Sequence, residues 1–224
     1  MIRRLVFLLI LLIAGGLVWL VGWSSVLTVS DVKVQAPATI SVEAVRIAVG
    51  DLHGVPLARV DVADIESRIE RIPSVASATV TRSWPRTLTV SVVPRVPVAA
   101  LRSSTGVTLV DATGAVIASV AVAPKGLPLL RTASGQSVSA QLHTPATSAA
   151  LSVAAMLPPD LRPKVLIVGA VGPEDVRLTL LGGAQVRWGG IGDAGLKASV
   201  LRALLVHPAR VYDVSAPLLP TTRS

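Results

Sequence analysis

Apolar side chains run without a charged interruption from Leu5 to Trp23, and as a helix these 19 positions span about 28 Å, close to the ~30 Å hydrocarbon core of a bilayer. Arg3 and Arg4 precede the run with no acidic neighbour, which orients the tail over 1–4 toward the cytoplasm, and Trp19 and Trp23 suit the far interface. The pattern predicts one transmembrane helix over 5–23 with everything after it outside. A cleaved signal peptide is the competing reading, but the run exceeds a usual apolar h-region and no small-x-small site follows it cleanly. A core helix apolar on every face would need more protein around it, or a bilayer.

Beyond a juxtamembrane linker over 24–28, the apolar spacing breaks into short segments. Val29, Val32 and Val34 predict a strand stopped at Ala36-Pro37-Ala38. Val42, Val45 and Val49, between Ser41 and Gly50, predict a two-turn helix with a capping residue in front and a glycine behind. Asp61 then opens a helix whose stripe is Val62, Ile65, Ile69 and Ile72, with charged side chains on the other faces and Pro73 at its end. Val75 to Arg82 and Leu88 to Val93 read as two strands on either side of Ser83-Trp84-Pro85-Arg86-Thr87. The order is β-α-α-β-β, a unit set at residues 29–97.

From Val98 onward, short strands alternate with turn residues. Val107 to Val110 and Ala115 to Ala118 flank Asp111-Ala112-Thr113-Gly114, a hairpin turn. Thr144-Pro145 opens an Ala-rich helix ending near Leu157. Val165 to Val168, Val176 to Leu181 and Gln185 to Trp188 are strands, the last two joined at Gly182-Gly183. Asp193 caps a helix carrying Leu196, Val200, Ala203 and Leu204, and Val211 to Val214 is the final strand. The polar stretch Thr132 to Ser139 reads as a loop. The fold class is therefore α+β: a membrane helix, the β-α-α-β-β unit, and a mostly antiparallel β-domain with flanking helices over 98–215, followed by a C-terminal tail over 216–224.

Composition narrows the chemistry. With 51% apolar and 15% charged residues the chain is compact rather than disordered, and the absence of cysteine removes disulfides, thiolate nucleophiles and sulfur-ligated metal sites. His53, His143 and His207 stand in no metal-ligand spacing, so neither a metal nor a cofactor is expected. Asp61/Asp64 and Glu174/Asp175 sit where a helix start and a turn favour carboxylates, and Gly189-Gly190-x-Gly192 has the spacing of turns rather than of a dinucleotide loop. No enzyme is predicted. A net charge of +8 invites a nucleic-acid reading, but the arginines are dispersed and aromatics are only 3%. Setting aside Arg3 and Arg4 leaves +6 outside, facing anionic headgroups, an anionic wall polymer or simply solvent. What remains is an anchored domain that holds other proteins in place.

One ordered set of residues goes further. Ile69-x-x-Ile72-Pro73-x-Val75-x-x-Ala78-x-Val80-x-Arg82-x-Trp84-Pro85-x-Thr87-Leu88-x-Val90-x-Val92 resembles the FtsQ/DivIB family of bacterial cell-division proteins, and Arg95-x-Pro97-Val98-Ala99, Leu109-Val110-Asp111-x-x-Gly114, Leu127-Pro128-x-Leu130 and Asp213-Val214-Ser215-x-Pro217 continue the likeness. It is weakest between about Thr132 and Arg162. Pro94 and Gln35-Ala36 depart from the family pattern at element ends. The resemblance implies a POTRA domain followed by a β-domain, in a single-pass protein of the cytoplasmic membrane enriched at the division septum. It implies a non-enzymatic divisome scaffold that binds the small single-span proteins FtsB (DivIC) and FtsL and couples septum assembly to cell-wall synthesis. It further implies that FtsB adds a strand beside the last strand, here Val211, Tyr212, Asp213, Val214 and Ser215. Against this stands the reading that Asp213 and Pro217 merely end the sheet and block further pairing. Arg82 and Trp84 are a possible contact of the POTRA domain, although Trp84 packing the hairpin end is the preferred reading. A POTRA-bearing component of protein export or envelope assembly is the alternative function.

Overall fold

The computed structural model describes residues 4, 6–12, 15–16, 27–103, 106–132 and 138–223. Much of the span expected over 5–23 thus lies outside the described residues. Within it, residues 6–12 and 15–16 are helical, and among the described residues no helix is long and apolar enough to cross a membrane. The chain separates into two compact units, divided between Arg95 and Val96.

In the first unit, β1 (Asp31–Gln35), α1 (Val42–Val49), α2 (Val62–Glu70), β2 (Val75–Ser83) and β3 (Thr87–Pro94) follow the expected β-α-α-β-β order, with one turn of 3-10 helix at Leu57–Arg59. The sheet runs β1-β3-β2, β1 parallel to β3 and β2 antiparallel to it. Helix α1 starts where the Ser41 hydroxyl accepts the Ala44 N–H, and it stops at Gly50, whose φ of 77° is the left-handed conformation that glycine adopts at least cost. Helix α2 starts the same way, with the Asp61 carboxylate accepting the Asp64 N–H, so this acidic pair caps a helix. Val45, Ile65, Ile69, Leu88 and Val90 fill the core, each buried aliphatic contributing roughly 1.5–3 kcal/mol. Carboxylates of α2 also cover the outer side of β2: Glu66 accepts the Val80 N–H at 2.7 Å and Glu70 the Ala78 N–H at 3.2 Å, which blunts that edge against pairing with another chain.

The second unit is a nine-stranded mixed sheet in the order β12-β11-β10-β9-β8-β7-β4-β5-β6. Its strands are β4 (Ala99–Ser103), β5 (Gly106–Val110), β6 (Val116–Val120), β7 (Leu129–Arg131), β8 (Val165–Ala170), β9 (Val176–Leu180), β10 (Gln185–Gly189), β11 (Val211–Asp213) and β12 (Thr221–Arg223). Pairs β4/β7, β7/β8 and β10/β11 are parallel and the others antiparallel. Helices α3 (Val138–Leu142), α4 (Pro145–Met156) and α5 (Ala194–Leu204) complete it. Thr144 caps α4 by accepting the Thr147 N–H, and Ala149, Ala150, Leu151, Val153 and Ala154 are all buried. Small side chains let a helix sunk on several faces approach the sheet closely.

Four features depart from the sequence reading. Strand β4 went unpredicted because Ala99, Ala100 and Leu101 are all buried, so no in-out alternation marks it; β7 has only three residues. Asp193 does precede α5, but in the left-handed region at φ 55°, and its side chain makes no capping bond. In the stretch read as a loop, residues 133–137 lie outside the described residues and α3 begins at Val138. Finally, the segment read as a tail contains β12, so Val211–Asp213 is not the last strand.

Candidate functional site

The strand singled out by the sequence, Val211 to Ser215, is held from both ends. Tyr212 is buried, and its hydroxyl donates to the His207 carbonyl at 3.0 Å while accepting the Ala209 N–H at 2.9 Å, which ties the turn entering β11 to the strand itself. Val214, also buried, donates its N–H to the Arg187 carbonyl at 3.0 Å, extending the alignment on β10 past the end of β11. The Asp213 carboxylate accepts from the Ser215 N–H at 3.1 Å and from its hydroxyl at 2.6 Å, curling the chain out of the sheet. Gly189 makes room for that exit: with φ 77°, a Cβ there would stand 2.9 Å from the Ser215 Cβ. Nearby, the buried Lys197 ammonium donates to the Gly190 carbonyl at 2.8 Å and anchors the glycine-rich loop between β10 and α5.

After Ser215 the chain turns at Ala216-Pro217-Leu218-Leu219 and returns as β12, which pairs antiparallel with β11 in the register Val211 with Arg223 and Asp213 with Thr221. Two expectations are corrected here. Neither Asp213 nor Pro217 stops the pairing, and the outer side of Val211–Asp213 is occupied by the chain's own strand. The end of the sheet is Thr221–Arg223, exposed at all three residues and with no further strand beside it among the described residues. Leu218 and Leu219, 84% and 80% exposed, stand immediately ahead of it. Sequence reasoning missed this edge because three residues are too few for periodicity; the available signal was a pair of leucines between two prolines in an otherwise polar end.

On the face of this sheet, the Arg177 guanidinium makes two bonds to the Asp175 carboxylate, at 2.9 and 2.6 Å. These bonds, reinforced by the charges of Arg177 and Arg187, hold the Asp175 carboxyl below the usual carboxylate range, and the same bonds together with the Asp175 charge raise Arg177. Of the earlier acidic pair, Asp175 is thus a salt-bridge partner, while Glu174 lies against Gly190.

Arg82 and Trp84 lie in the first unit. The Arg82 guanidinium donates to the carbonyls of Leu57 at 3.0 Å and Val60 at 2.6 Å, so it staples the 3-10 turn to β2. Trp84, at the tip between β2 and β3, is 51% exposed.

Comparison with known proteins agrees across nearly the whole chain. A family model described as POTRA domain, FtsQ-type, matches residues 27–95, and one described as Cell division protein FtsQ/DivIB, C-terminal, matches residues 99–213. The Cell division protein FtsQ of Mycobacteroides abscessus is 36% identical over 219 residues, covering 98% of this chain and 69% of that protein. Its counterpart in Streptomyces bingchenggensis is 37% identical over 215 residues, covering 93% and 81%. That of Streptomyces collinus is 34% identical over 232 residues, covering 99% and 88%.

Proposed function

This chain belongs to the FtsQ/DivIB family of bacterial cell-division proteins, and from that premise we propose that it is a non-enzymatic scaffold of the divisome, anchored in the cytoplasmic membrane by residues 5–23. In this reading the N-terminus is cytoplasmic, both units lie outside, and the protein gathers at the septum. Its partners are small single-span division proteins of the FtsB (DivIC) and FtsL type, and its work is to hold them where septal wall synthesis takes place.

The observation that carries the reading is the end of the nine-stranded sheet. Strand β12 terminates the sheet beside two leucines that are more than three-quarters exposed, an arrangement that suits an added partner strand. Backbone hydrogen bonds would supply affinity and alternate side chains specificity. Residues Val211 to Ser215 then act from behind: they carry β12 rather than meeting the partner first. At the other unit, the half-exposed Trp84 is the side chain assigned to partner contact, while Arg82 keeps the hairpin base in shape.

Depletion tests the role. Cells should grow into filaments with unfinished septa, and a fluorescent fusion should concentrate at midcell; normal division with uniform envelope fluorescence refutes the scaffold. For the edge, Thr222→Pro removes a backbone donor from β12 and should weaken capture of an FtsB-type protein at least about tenfold while both units stay folded. Unchanged capture refutes that docking site.

A further inference from the structure

Three segments meet at one end of the first unit. Thr28 bridges Pro56, the Val29 N–H donates to the Val55 carbonyl at 2.9 Å, and the Ser30 N–H and hydroxyl both donate to the Arg86 carbonyl, at 2.9 and 3.4 Å. Strand β1 then starts level with β3, Asp31 beside Thr87. The residues that enter the unit are thus pinned beside the tip of the β2–β3 hairpin, while the other end of that hairpin, where Val75 pairs with Pro94, lies a full strand length away. At the tip, Trp84, Pro85 and Arg86 are all exposed, the indole at 51%. Arg59 is exposed as well, on the 3-10 turn that Arg82 staples to β2. Asp31 and Asp51, acidic neighbours of the entering segment, line a pocket with Arg46 and His53 to which Arg59, Trp84 and Arg86 do not contribute.

We infer that the hairpin tip is a second membrane contact, in which Trp84 enters the interfacial layer of the bilayer and Arg86, with Arg59 beside it, meets anionic headgroups. This rests on the reading of residues 5–23 as the membrane anchor, and it names the partner of the Trp84 contact. Five residues separate Trp23 from Thr28, and fully extended they reach at most about 18 Å. The end of the unit that carries the tip therefore stays close to the bilayer. An indole suits the interfacial layer, because its ring is apolar while its N–H needs a wet partner. Guanidiniums suit the anionic headgroups just outside it. One indole and two guanidiniums offer far less area than the ~1,200 Å² at which stable protein–protein interfaces begin. Within one anchored chain the same small contact suffices, since the anchor already holds the tip at high local concentration. Held at two points, the first unit leans on the bilayer in one orientation instead of swinging about the linker over 24–28.

The test uses the full chain, labelled with fluorotryptophan, in nanodiscs of mixed phosphatidylcholine and phosphatidylglycerol, with each fluorine resonance assigned by its loss in a Trp→Phe variant. The Trp84 resonance should be broadened by a lipid bearing a nitroxide high on its acyl chain and shielded from a gadolinium chelate dissolved in the water. Arg86→Gln should shift the balance from docked to free tip by about fivefold, seen as renewed broadening by the chelate, and discs of phosphatidylcholine alone should do the same. Arg71→Gln removes the same charge near the opposite end of the sheet and should change nothing; circular dichroism checks that both variants fold. A Trp84 signal open to the chelate while Trp19 and Trp23 are broadened by the nitroxide overturns the inference, leaves the anchor standing and frees the tip for a protein partner. Trp19 and Trp23 untouched by the nitroxide overturn the anchor reading and this inference with it. Arg86→Gln behaving no differently from Arg71→Gln also overturns it, because the headgroup contact then plays no part.

Discussion

Removing one oxygen at Tyr212 tests how the docking edge is held. Tyr212→Phe keeps the buried ring and deletes only the hydroxyl that bridges the His207 carbonyl and the Ala209 N–H at 3.0 and 2.9 Å. A typical intramolecular hydrogen bond contributes about 0.5–1.5 kcal/mol net, so losing two costs about 1–3 kcal/mol. The middle of that range is the expectation, because His207 is exposed and water can reach its carbonyl, whereas Ala209 is only half-buried. For a unit of this size about 2 kcal/mol lowers the unfolding midpoint by roughly 6–10 °C. The loss should also be local. Hydrogen exchange followed by mass spectrometry should speed up in peptides covering 205–214 and 221–223 while those covering β2 and β3 keep their protection. An unchanged midpoint together with unchanged exchange at β11 would mean that the hydroxyl bonds do not hold the strand, and the account of the edge would be wrong.

Three further outcomes follow from the same geometry. Arg82→Met should destabilise the first unit by about 1–2 kcal/mol, the worth of charge-assisted bonds discounted for their partial exposure, whereas Trp84→Ala should leave its urea midpoint nearly unchanged. Gly189→Ala should destabilise the second unit by at least about 1 kcal/mol, because φ 77° suits glycine and the new Cβ would press on Ser215; its partner-binding loss should exceed that of Gly172→Ala, where a Cβ meets nothing. Asp160 and Asp175 are held below the usual carboxylate range, first by hydrogen bonds from Arg202 and Arg177. Since the folded pKa is the lower one, their contribution is complete above the unfolded carboxylate range, near pH ~4, and is lost as pH falls through the folded values. Acid unfolding curves of Arg202→Gln and Arg177→Gln should accordingly be shallower below pH ~4 than that of the parent, and equal slopes would remove these pairs from the account.

Sequence alone determined most of the first unit, because its signals are local. Ser41, Gly50 and Asp61 act within one helical turn of themselves, and the Ile65/Ile69 stripe needs only a 3.6-residue period to declare its buried face. The same holds for the turn at Asp111, whose carboxylate accepts from the N–H groups of Thr113 and Ala115 just ahead of it. The family likeness was legible for a related reason: its motifs sit on those locally specified elements.

Tertiary structure decided what depends on distant partners. Strands β4 and β7 lie side by side in mid-sheet, and burial of both faces in β4 erases the alternation that would reveal it. Strand β12 exists because β11 offers it an edge; nothing in Thr221-Thr222-Arg223 by itself demands an extended pairing. The row of Arg131, Gly169, Arg177 and Arg187 is the plainest case, since these four are spread over 57 positions and meet only because the strand order β10-β9-β8-β7 brings their registers into line. A single chain read in one dimension shows dispersed charge, and the sheet turns that dispersion into a row because hydrogen-bond register acts across strands rather than along them.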